Sequence, residues 1–267
     1  MGTKKTVLLG MAIALGLIAY FWPGEMGPPT PQVAAVAPPP AALSPPLPVE
    51  SVERYPITAV LEAPKDQAPS TAEENEARYR SALAGLFGEA SLAAYFYPER
   101  MIQRFVATID NLPRHDAPPK MMPVKPVGGP FEVERDAEGV HVAPANAARY
   151  LKHVAFMASV EPRRLVDLYV ALYPVFQQAY RDLGYPNGFF NDRLVEAIDD
   201  LLATPEPAPP IALIQPKVLY TYADPALQAR SAGQRILLRL GAENRAKVKQ
   251  SLGAIRQELL SRSPAGR

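Results

Sequence analysis

The chain has 267 residues, 31 of them proline and none cysteine, with 48% hydrophobic and 21% charged residues and a formal net charge of +1. That length accommodates one ordinary domain plus extensions. The lack of cysteine excludes a disulfide scaffold, a thiol nucleophile, cysteine-ligated zinc or iron–sulfur sites and a sulfur-linked amino-terminal lipid. Near-neutrality gives no global electrostatic case for nucleic acid.

Val7 to Trp22 form an uninterrupted apolar run behind Lys4 and Lys5, ended by Pro23, Gly24 and Glu25. At 1.5 Å per residue the run reaches roughly 25 Å, the short end of a membrane-spanning helix. Lysines before it and an acid after it orient the amino terminus to the cytoplasm, and Tyr20, Phe21 and Trp22 suit the far interface. The expected layout is a cytoplasmic stretch at 1–6, an inner-membrane anchor at 7–22 and a periplasmic body. A cleaved signal peptide has the same opening, but cleavage wants small residues soon after the apolar core. Here three bulky aromatics come next, and the one Ala-x-Ala, at Ala35 to Ala37, lies far downstream.

Residues 23–70 are rich in proline, including the triplet Pro38 to Pro40, and poor in charge. Each proline removes a backbone donor and fixes a dihedral, so an extended, disordered spacer is expected, up to roughly 150 Å long at full extension. Within it, Tyr55 to Leu61 alternates apolar residues and suggests a short docking strand.

A globular domain is expected over 71–267, mainly α with a small β component. A capping-box start at Ser70 or Thr71 leads into a stripe of Tyr79, Leu83, Leu86 and Phe87, stopped by Gly88. A second helical segment, Ser91 to Leu112, is broken by Pro98 and stopped by Pro113. Residues 114–130 are proline-rich, with exposed-looking Met121 and Met122, and read as a wrapped strap. Phe131 to Val142 read as a hairpin. Helices are expected at Asn146 to Val160, at Glu161 to Leu183 with a kink at Pro174 and closure at Gly184, and at Asn191 to Ala203. Ile211 to Ile214 and Val218 to Tyr222 suggest a second strand pair. Helices at about Pro225 to Leu240 and Ala242 to Ser261 follow, separated by Gly241.

Several stretches resemble a known family. FVATIDNLP at Phe105 to Pro113, Arg149 with Tyr150, YPVFQQAYRDLGYP at Tyr173 to Pro186 and FNDRLVEAIDDLLATP at Phe190 to Pro205 are similar to the bacterial envelope proteins grouped as domain of unknown function 3014. QPKVLYTYADPAL at Gln215 to Leu227 and SAGQRILLRLGAEN at Ser231 to Asn244 extend the likeness over nearly all of the globular part and none of the linker. The resemblance implies a membrane-anchored protein with no assigned activity, so it carries over no catalytic residue.

No motif calls for a cofactor or a metal. His115, His141 and His153 stand apart, without the converging donors a zinc site needs. No Gly-x-Ser-x-Gly elbow is present, and Gly128 and Gly129 lack the lysine of a phosphate loop. Asp192, Glu196 and Asp199 share one helix face, an arrangement that serves acid–base cleavage of glycosidic bonds when it frames a cleft. Opposite an apolar stripe, the same row reads as a solvated face. Tyr169, Tyr173, Phe176 and Tyr180 form an aromatic row beside Gln177, suited either to sugar or peptide binding or to core packing with each hydroxyl partnered. Tyr220, Tyr222, Asp224 and Gln234 extend that site if the late strand pair packs beside it. Asp110, Asn111 and Arg114 sit at a helix end as cap or anchor residues, with ligand binding the alternative. The last helix is amphipathic, with Arg245, Lys249 and Arg256 at its apolar edge, suited to an anionic lipid surface or an acidic partner, or else a solvated face paired with the acids of 192–200.

These patterns favour an inner-membrane protein whose stalk presents a non-enzymatic binding or scaffolding domain to an envelope protein or cell-wall partner, with a carboxylate-based cell-wall hydrolase as the alternative. Tyr173, Gln177, Tyr180, Asp110, Asn111, Tyr220, Tyr222 and Asp224 are the candidate binding residues.

Overall fold

The computed structural model describes residues 52–57, 71–159 and 161–263. The expected anchor at 7–22, the linker apart from 52–57, and Thr58 to Leu61 of the expected docking strand lie outside the described residues. Among the described residues no helix is long and apolar enough to cross a membrane.

Helix α1, Ala72–Phe87, opens on a complete capping box: Thr71 Oγ1 accepts from the Glu74 amide, and the Glu74 carboxylate accepts from the Thr71 amide. Gly88, at φ +82°, ends it and starts α2, Glu89–Tyr95. Helix α3, Met101–Asn111, follows Pro98 and a left-handed Arg100. The connector 112–130 wraps the domain, as expected. Phe96 and Val124 form an isolated antiparallel bridge, and Arg104 donates to the carbonyls of Lys120 and Met122 at 2.6 and 3.1 Å. Met122 is fully buried rather than exposed. Exposure of a non-helical residue follows no sequence period, so only the packed chain could show it.

Strands β1, Val133–Asp136, and β2, Gly139–Val142, form the expected hairpin, pairing Val133 with Val142. Helices α4, Ala145–Ala158, α5, Pro162–Asp182, and α6, Phe190–Leu202, follow. Pro174 lies inside α5 without ending it, and Gly184 sits just beyond at φ +117°. Strands β3, Ala212–Ile214, and β4, Thr221–Tyr222, join the first hairpin in one antiparallel sheet of order β1-β2-β3-β4.

The helix expected over Pro225 to Leu240 is two helices, α7, Pro225–Gln228, and α8, Ala232–Arg239. Ser231 makes the break: its hydroxyl accepts from the Gln234 amide as an N-cap and donates to Asp200 at 2.6 Å. Helix α9, Ala242–Ser261, closes the domain against α4, α5 and α6. Its basic edge is paired rather than open. Arg256 meets Asp199, Lys249 meets Glu206 at 2.8 Å, and Arg245 is buried.

The result is one mainly helical domain with a small antiparallel sheet. Its centre is aromatic: Phe176 lies 5.1 Å from Phe105, 5.4 Å from Tyr79, 5.6 Å from Tyr169 and 6.0 Å from Phe190, centroid to centroid. Burying each such ring contributes about 2 kcal/mol or more. A smaller cluster of Leu213, Tyr222, Leu227 and Leu238 fastens the sheet to α7 and α8.

Candidate ligand-binding pocket

The clearest concavity, about 370 Å³, opens where the end of α3, the α5–α6 loop and the start of α6 meet residues 52–57. Asp110 and Arg114 come from the α3 end, Tyr180 from α5, Tyr185 and Phe189 from the loop, and Asp192, Arg193 and Glu196 from α6. Val52 and Arg54 complete the wall. Three arginines thus face three carboxylates.

Asp110 is the hub. It is 4% exposed, and Arg114 Nη2 donates to both its oxygens at 3.0 Å while the Tyr185 hydroxyl donates to one at 3.1 Å. Arg193 Nε lies 3.2 Å from the same carboxylate, Arg193 Nη2 donates to the Asp110 carbonyl, and Arg193 Nη1 reaches Glu196 at 2.9 Å. The hydrogen bonds to Asp110 hold the Arg114 guanidinium above its ordinary pKa, against the smaller opposing effect of burial. Tyr180 stacks on Tyr185 at 4.6 Å. Its phenol is pushed up to about 12, by burial first and by Asp110 second, so it stays a hydrogen-bond donor. The loop closes tightly on this pair: a Cβ on Gly188 would stand 2.9 Å from the Tyr180 ring.

Tyr169, Tyr173 and Phe176 of the aromatic row on α5 are core, with the Tyr169 and Tyr173 hydroxyls partnered. Tyr169 donates to Asn191 at 3.1 Å, and Tyr173 donates to Gln177 at 3.0 Å. Gln177 accepts from the Phe190 amide at 2.8 Å and donates to the Gly188 carbonyl at 2.7 Å, capping the start of α6 from another helix. Tyr173 and Gln177 therefore shape the pocket from behind without lining it. Asn111 donates back along α3 to the Ala107 carbonyl at 2.7 Å.

The late strand pair does not bring its candidates here. Tyr222 is buried in the smaller cluster and donates to the Arg235 carbonyl, Tyr220 accepts from Arg135, and Asp224 caps α7 through the Ala226 amide. Gln234 donates to the Asp200 carbonyl at 2.7 Å. Of the eight candidate binding residues, Tyr180 and Asp110 line the pocket.

The acidic row divides. Asp192 and Glu196 line the pocket, whereas Asp199 pairs with Arg256. Asp192 is 8% exposed, and its two oxygens accept from the backbone amides of Arg54 and Tyr55 at 2.9 and 2.8 Å. Among the described residues no His, Asp or Glu group could hold a metal ion. Arg193, Tyr185, Phe189, Val52 and Arg54 carry no sequence signal of their own. They reach the pocket by tertiary contacts such as Arg193 to Asp110, 83 positions apart.

The family described as protein of unknown function (DUF3014) matches residues 101–256, more than half of the chain and most of the pocket wall. The chain belongs to that family. No curated protein and no solved structure matches it. Within this DUF3014 protein, Asp110, Tyr180, Tyr185 and Arg193 fall inside the matched span, and Val52 and Arg54 fall before it.

Proposed function

We infer that the protein is held in the inner membrane by residues 7–22, with its amino terminus cytoplasmic and its domain periplasmic, and that the domain binds another envelope component rather than catalysing a reaction. The location rests on the lysine-flanked apolar run and the proline-rich spacer. The binding role rests on the pocket's charge arrangement.

A general acid or base must exchange a proton with its substrate. Both oxygens of Asp110 and both of Asp192 are instead held by arginine, tyrosine or backbone donors. What faces outward is the partly exposed remainder of Arg54, Arg114 and Glu196, whose side chains are 62%, 46% and 50% exposed. A mouth with both signs beside aromatic walls suits a peptide or cell-wall fragment carrying a carboxylate and an amine.

The test is photo-cross-linking in intact cells from position 52, where Val52 is 83% exposed at the pocket mouth. Discrete adducts that disappear with Arg114→Ala are expected. Recovery of nothing beyond a control lacking the domain would count against binding. Release of new fragments from cell wall by the purified full-length chain would favour the carboxylate hydrolase instead.

A further inference from the structure

Residues 52–57 belong by composition to the spacer, yet they lie on the domain in the way a bound peptide lies on a receptor. Asp192 accepts from two successive amides, those of Arg54 and Tyr55 at 2.9 and 2.8 Å, while Asn191 Nδ2 donates to the Tyr55 carbonyl at 2.7 Å. These contacts read backbone, not side chain: the chain bends at Arg54 and Tyr55, which turns two successive amides toward one carboxylate. Ile57, 3% exposed, enters the aromatic core, and Glu53 reaches the Tyr173 hydroxyl at 3.5 Å. Tyr55 precedes Pro56, which disfavours the helical region at Tyr55 and so lowers the entropy lost on docking.

The hold is concentrated in few points. Ile57 is the one buried residue of the six, Val52 and Arg54 are exposed, and Glu53 sits beside the like charge of Asp192. Thirteen residues, 58–70, separate Ile57 from the cap of α1.

We propose that Asn191, Asp192 and the apolar socket for Ile57 form a peptide-binding site, and that residues 52–57 are its resident and releasable occupant. Because Val52 and Arg54 also line the pocket, docking completes the pocket wall and release removes it. Occupancy of the two sites is then coupled in both directions. The coupling rests on the pocket reading above, whereas the release of residues 52–57 does not and is tested without any pocket ligand.

The experiment uses the full-length chain, its Ile57→Glu variant and a fluorescent synthetic peptide of residues 51–61. Hydrogen exchange should show the Arg54 and Tyr55 amides protected in the wild type and at least about tenfold faster in Ile57→Glu, with α9 protection unchanged as the check on folding. The peptide should bind Ile57→Glu saturably, bind the wild type at least about tenfold more weakly because its site is filled, and fail to bind when Asp192→Ala is added. If Ile57→Glu does not fold, Arg54→Pro replaces it, with exchange read at Tyr55 alone, since this removes one amide donor without touching the core. The proposal is overturned if the peptide does not bind the folded variant, if it binds wild type equally, or if protection at Arg54 and Tyr55 survives the substitution.

Discussion

Asp110 ends α3 in the sequence, a position where a polar residue usually caps or anchors a loop, and its buried carboxylate does anchor Arg114, one turn on. The sequence could not show that Arg193 and Tyr185 converge on the same carboxylate, one at each oxygen. Removing one partner from such a network strands the others. Asp110→Ala should lower unfolding free energy by about 3 kcal/mol, read from urea denaturation, and should weaken cross-linking from position 52. Glu53 carries a second prediction at this scale. Burial first, and then the neighbouring Asp192 carboxylate, raise its carboxyl above the ordinary value of 4.5, partly offset by the Tyr173 hydrogen bond. The groups facing it are Asp192 on α6, itself 3.7 Å from Arg54 Nε, and Tyr173 and Tyr169 on α5. A proton held more tightly in the docked state makes docking strongest below 4.5 and progressively weaker as pH rises through the raised value. Intrinsic-rate-corrected exchange at Arg54 and Tyr55 should therefore speed up as pH rises above 4.5, and Glu53→Gln should abolish that trend.

Among the elements, the helix bodies were legible from their apolar periodicity, whereas the caps that reach a helix start from another helix were not. Thr71 and Glu74 announce α1 within four residues. Helix α3 has no local side-chain cap; Glu76, from α1, accepts from its Met101 and Ile102 amides. Glu76→Ala should cost about 1 kcal/mol and speed hydrogen exchange at the first turn of α3 while leaving α9 unaffected. Helix α8 shows the complementary limit, close approach. Gly233 donates to the Leu112 carbonyl at 3.0 Å, and a Cβ there would stand 2.6 Å from Leu201 Cδ2 and 3.2 Å from that carbonyl. Gly233→Ala should destabilise by about 1–3 kcal/mol through overpacking, the reverse of what helix propensity alone would give. By contrast, Arg256 and Asp199, at 32% and 43% side-chain exposure, are screened by water, and breaking that pair should cost less than about 1 kcal/mol.

For the whole molecule, the anchor and its orientation make the simplest test: a reporter enzyme active only in the cytoplasm, fused after Trp22, should be inactive in the full-topology context, and activity would reverse the proposed layout. The sequence by itself determined the helical class, the hairpin and the family, because apolar periodicity, turn residues and contiguous motifs are local and survive without coordinates. The tertiary structure decided where the chemistry meets. It placed Arg193 on Asp110, separated Tyr220, Tyr222 and Asp224 from Tyr180, buried Met122, and laid a piece of spacer along Asp192. Such contacts join residues tens of positions apart through charge pairing and through burial outside the helical stripes, and neither leaves a period in the chain.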